Sequence, residues 1–176
     1  MTKPEIQQRL LASHTQFLKR IANLSERDFL LSANGKWTAG QQLEHIIKSV
    51  SPVKLALTSP RLLLKLSFGK ANRASRTYDA LVEKYQAKLA AGGLAPVRFI
   101  PKAVSIYDRN RLLNRLYALT ESLSKKVDSF TEEQLDFYIL PHPLLGKLTI
   151  REMLLFTIYH VGHHEKQVIQ NLQRAA

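Results

Sequence analysis

The stretch beginning at Thr149 constrains the fold most. Its first half, carrying Met153, Leu154, Leu155, Phe156, Ile158 and Val161, is apolar nearly all round a helix. A helix with no polar face must lie at the centre of something, with other helices around it. The chain supplies three more. Pro4 to Asn23 carries the stripe Ile6, Leu10, His14, Phe17 and Ile21, with Leu24 just beyond. A second helix opens at Thr38 and runs through Leu43, Ile46, Ile47 and Val50. Asp108 to Ser129 carries Leu112, Leu116, Leu119, Leu123 and Val127. All recur at the helical period, and no sustained alternation of period two appears. The pairs Thr38/Gln41, Thr131/Gln134 and Thr149/Glu152 have capping-box spacing. The expectation is an all-α, four-helix bundle formed by residues 1–176 as a single domain.

Two features qualify that pattern. Pro52 and Pro60 are expected to kink or interrupt the second helix, because proline removes a donor and clashes with the preceding turn. Residues 67–106 are the least regular. A short amphipathic helix over Tyr78–Ala91, stopped at Gly92-Gly93, fits there, but Pro96 and Pro101 forbid a long one after it. This stretch reads as an irregular, partly helical insertion between the second and third bundle helices, too small to bury a core of its own.

The formal net charge is +12. Between His45 and Tyr107 there are eleven Lys or Arg against Asp79 and Glu83, so this stretch supplies nine of the twelve charges. Such a field suits an anionic partner: nucleic acid, acidic lipid or an anionic small-molecule substrate. It is equally what a solvated surface looks like. No zinc-finger or RNA-stacking motif accompanies it, so nucleic acid is permitted but not signalled. With no cysteine, disulfides, thiolate metal sites and cysteine nucleophiles are out. The longest apolar run, RLLLKLSF (61–68), is far below the ~20 residues of a membrane span, and its leucines could cap the bundle or meet a membrane surface or a partner subunit. MTKPEIQQRL lacks the apolar run of a signal peptide, which makes the cytoplasm the expected location.

The chemistry concentrates in YHVGHHEKQ (159–167). His160 and His164 are four residues apart, on one helical face with Cβ atoms about 6 Å apart, close enough to grip one metal ion. A third ligand must come from a neighbouring helix, and His45, among Leu43, Ile46 and Ile47, is the natural candidate. The competing reading makes all three hydrogen-bonded core residues, and spacing alone does not choose. The zincin pattern is absent, since Val161 stands where its glutamate would be, and so are the Glu-x-x-His pairs of di-iron bundles. His163 is rotated by about 100° from His164, so it is either a donor behind the ligands or exposed, the latter being favoured. Gln41 and Gln167 share helical register with the ligands and could orient an imidazole or a water. Trp37 is expected to pack the start of the second helix, His142 to bond within its loop and His14 to sit in the core. Glu44, Glu152 and Glu165 are near in sequence, without any one standing out as a general base.

Two motifs together are fairly specific. Lys36–Ile46 (KWTAGQQLEHI) resembles the Trp-[Ser/Thr]-x-x-[Gln/Glu]-x-x-x-His start of the second helix in the DinB-like superfamily. His142–Thr149 (HPLLGKLT), followed by Glu152, His160, His164 and Gln167, is similar to that family's closing helix. The order and separation match over essentially the whole chain. The resemblance implies a four-helix bundle with one divalent metal, often nickel or zinc, on His45, His160 and His164. It also implies a bacterial, metal-dependent transferase or isomerase using a low-molecular-weight thiol such as bacillithiol or mycothiol, in a family whose members often form homodimers. A metal-dependent hydrolase is the nearest variant, needing the same three ligands. The alternative is a non-enzymatic stress-response protein that binds nucleic acid through its basic surface.

Overall fold

The computed structural model describes residues 1–33 and 35–174. In chain order the elements are α1 (Lys3–Ala22), α2 (Glu26–Leu30), α3 (Ala39–Thr58), α4 (Arg61–Phe68), α5 (Tyr78–Ala90), α6 (Arg109–Val127), α7 (Glu132–Phe137), a hairpin of β1 (Ile139–His142) and β2 (Gly146–Thr149), and α8 (Ile150–Gln173). The long helices α1, α3, α6 and α8 form the bundle. Their neighbours are not those of chain order: α1 packs on α6 and α8, and α3 packs on the same two, so α1 and α3 face each other across a diagonal. The connections must therefore cross the ends of the bundle, and the short elements lie in them.

The predicted stripes are the buried ones, except that Leu24 and Leu119 are half-buried at the edge of the core. Ile6, Leu10, His14, Phe17 and Ile21 on α1 meet Leu112, Leu116, Leu123 and Val127 on α6. The first half of α8 is buried nearly all round. Thr38, Thr131 and Thr149 each accept from the N3 backbone N–H, and Gln41, Gln134 and Glu152 bond back, completing the three capping boxes.

Two expectations are corrected. Pro52 does not interrupt α3, which continues as α-helix to Thr58; the break comes just before Pro60, the residue that precedes α4. The cost of Pro52, about 3 kcal/mol relative to alanine, is outweighed because α3 is clamped along its length by α6 and α8. The loop before the fourth helix is an antiparallel hairpin pairing Ile139 with Thr149 and His142 with Gly146, which adopts φ +77 in the turn. Four-residue strands are too short to show alternation in sequence. The stretch 61–68 forms α4, with Leu64 buried and Leu62, Leu63 and Leu66 exposed. Among the described residues no helix is long and apolar enough to cross a membrane.

The insertion is tied down by charge. Glu152 is fully buried at the start of α8, where it accepts from Arg73 Nη1 and Nη2 at 2.7 and 2.8 Å and from the Arg76 N–H at 2.8 Å. Burial pushes its carboxyl up, but these donors and the Thr149 N–H outweigh burial and hold it below the usual carboxylate range.

Candidate metal centre

The capping box at Thr38 starts α3 so that His45 falls two turns in, on the side turned to α8. Four residues apart on α8, His160 and His164 face back at it. One nitrogen of each of the three rings lies within 4.8 Å of the other two, and all three residues are buried. His160 Nε2 is 3.4 Å from His45 Nε2 and 3.0 Å from His164 Nε2. Bonds of 2.0–2.1 Å at tetrahedral angles put ligand nitrogens about 3.3–3.4 Å apart, so the cluster has the dimensions of a metal site.

The opposite ring nitrogens show which lone pairs are free. His45 Nδ1 donates to the backbone carbonyl of Phe99 at 2.8 Å, and His164 Nδ1 donates to the side-chain carbonyl of Gln42, which is itself buried. With the proton fixed on Nδ1 in both rings, their Nε2 lone pairs point into the cluster. Burial holds His160 and His164 far below the usual histidine pKa and lowers His45 as well. All three are therefore neutral at neutral pH, the form that binds metal. Trp37 closes one side, 4.9 Å from His45 and stacked at 6.2 Å on His164. Phe156 stacks on His160 at 4.9 Å.

The remaining expected site residues lie around this core. Gln41 Oε1 accepts from the Thr38 N–H at 3.0 Å, so its amide belongs to the helix cap; the amide facing the histidine cluster is that of its neighbour Gln42. Gln167 Nε2 lies 2.9 Å from His163 Nε2. His163 is half-buried, not the exposed residue favoured from sequence, and its ring stands edge-on to His164 at 5.2 Å. His142 Nδ1 accepts from the Leu144 and Leu145 N–H groups inside the hairpin turn. His14 is in the core, its Nδ1 donating to Leu10 O at 2.8 Å. The three nearby carboxylates are bonded elsewhere: Glu44 to the Lys102 N–H, Glu152 to the arginines, and Glu165 to Arg20 and Gln16. Gln42 and Phe99 escaped the sequence reading. A glutamine beside the capping Gln41 carries no signal of its own, and a backbone carbonyl never does.

A cavity of about 790 Å³ adjoins the cluster, with His45 and His160 in its wall. Tyr85 also lines it, with its ring edge-on to His160 at 6.2 Å, and burial pushes its hydroxyl up to about 12.

Residues 9–168 match the family profile described as the DinB superfamily. The chain belongs to the DinB superfamily. A solved structure with this bundle is that of YfiT from Bacillus subtilis, described as a probable metal-dependent hydrolase with an unusual four-helix bundle topology. It matches with a TM-score of 0.59 at 20% identity, over 98% of this chain and 87% of that one. At that identity the likeness speaks to fold, and the diagonal placement of α1 and α3 is one way in which the bundle of this DinB-superfamily chain departs from simple up-and-down order. No curated protein matches the chain.

Proposed function

We propose that this protein is a divalent-metal-dependent enzyme, with the ion on the Nε2 atoms of His45, His160 and His164. The observation that carries this reading is the convergence of those three buried, neutral nitrogens beside a cavity large enough for a small molecule. Imidazole donors suit nickel or zinc. An ion held there supplies Lewis-acid chemistry, lowering the pKa of a nucleophile, water or a low-molecular-weight thiol, and polarising the substrate.

The chain's own residues do the rest. Gln42 and the Phe99 carbonyl hold two ligand rings in the metal-binding tautomer. Trp37 and Phe156 keep the rings from turning and exclude water from two sides. The Gln167–His163 pair buttresses His164 from outside the cluster. Tyr85 stays protonated and its hydroxyl makes no hydrogen bond among the described residues, which suits it to donate to a substrate oxygen in the cavity.

Hydrolysis is favoured by the description of YfiT, and thiol transfer by the resemblance of the two sequence motifs to thiol-dependent relatives. Both use the same three ligands. An activated ester assayed with and without added thiol, on protein loaded with zinc or nickel, separates them. A metal-dependent rate indifferent to thiol means hydrolysis, and one that requires thiol means transfer. A rate unchanged by chelation and by His160→Ala/His164→Ala overturns the proposal.

A further inference from the structure

The cavity has two different ends, and its walls specify more than the metal does. α3 lines it from His45 to Ala56 and α8 from His160 back to Met153. At 1.5 Å per residue this runs about 16 Å along one helix and about 10 Å along the other, away from the histidines. The far part is apolar, formed by Val53, Ala56, Phe68, Leu140 and Met153. Lys48, one turn from His45 on α3, and Arg98, beside the Phe99 whose carbonyl bonds His45, stand at the histidine end, while Arg111 and Arg115 line the cavity from α6; among the described residues Glu44 is the one carboxylate in its wall.

Two of those cations are already engaged. Lys48 lies 3.5 Å from Glu44 and donates to Ile100 O, and Arg111 pairs with Asp108 at 2.8 Å. Arg98 lies over the Phe99 ring, and neither it nor Arg115 has a carboxylate partner among the described residues. Cations at the mouth of a low-dielectric chamber attract an anion far more strongly than the same charges on open surface. An apolar chamber, in turn, gains nothing from a small polar solute.

We infer that the cavity takes an amphipathic anion: a molecule whose apolar body fills the chamber between α3, α8 and the hairpin, and whose carboxylate or other anionic group lies at Arg98 and Arg115. This deepens the enzymatic reading and rests on it for the idea that the bound molecule is a substrate, while the binding itself is separately measurable. Fully hydrophilic anions are then excluded as the occupant of the chamber.

Decanoate is the probe, titrated calorimetrically into the full-length protein, with decanol as the uncharged control and metal content measured on the same samples. Decanoate should bind at least ten-fold more tightly than decanol. Arg98→Gln/Arg115→Gln, at two exposed positions, should weaken decanoate at least ten-fold and leave decanol and metal content unchanged. Ala56→Phe, which fills the far end, should weaken both ligands. Decanoate that fails to bind, binds no better than decanol, or is indifferent either to the arginine pair or to Ala56→Phe overturns the inference, whatever the metal content. Loss of metal binding with these preferences intact would overturn the enzymatic reading instead.

Discussion

Gln42 accepts a hydrogen bond from His164 Nδ1, and that contact decides which nitrogen of His164 is free for a metal. Both partners are buried and lie on different helices, so the bond also fixes the spacing of α3 and α8 at the cluster. Gln42→Leu removes the acceptor while preserving bulk. The expected result is a 10–100-fold loss of zinc or nickel affinity in competition with a chromophoric chelator, with helical content unchanged. An unaltered affinity would mean that the tautomer is set elsewhere.

Glu152 belongs to the scaffold, not to the reaction. It is fully buried, completes the cap of α8 and gathers Arg73 and Arg76. Glu152→Ala should cost on the order of 3 kcal/mol, from the broken buried ion pair and the lost cap contact together. This would appear as a lower midpoint in urea, with one equivalent of metal still bound at low denaturant.

His14 makes stability sensitive to acid. Burial lowers its pKa to about 4, against 6.5 in the unfolded chain, and its Nε2 is buried without a partner among the described residues. Below pH 6.5 the unfolded chain takes up a proton that the folded one refuses, so unfolding becomes easier as pH falls. The stabilisation is complete above pH 6.5 and is lost down to about pH 4, in total about 3 kcal/mol. Urea melts at pH 7 and pH 4.5 should show a smaller difference for His14→Leu than for the native chain. Parallel pH dependences would exclude this role.

The helices were legible because each long one must bury a stripe, and the stripes of α1, α6 and α8 stand in the sequence at helical spacing. Glycine, too, marked its place: Gly92, with φ +86, ends α5 at the expected stop. The three histidines could be nominated from their spacing and the resemblance of their surroundings, since four residues on a helix fix a shared face. The hairpin was hidden by Pro141 and Pro143 and by the brevity of its strands. The contacts that orient the rings were hidden for a different reason. The Phe99 carbonyl reaches His45 from 54 residues away, through an irregular segment whose path no local pattern determines. Nor does the order of stripes along a chain say which helices are neighbours, so the diagonal of α1 and α3 appears only in three dimensions.

In the proposed enzyme His45, His160 and His164 together form one metal site. Its most direct test is elemental analysis of the untagged protein after zinc or nickel loading and exhaustive dialysis, beside a His160→Ala/His164→Ala variant shown by circular dichroism to be folded. About one divalent ion per chain is expected in the native protein and none in the variant. A folded native protein that retains no metal, or a variant that retains as much, would contradict it.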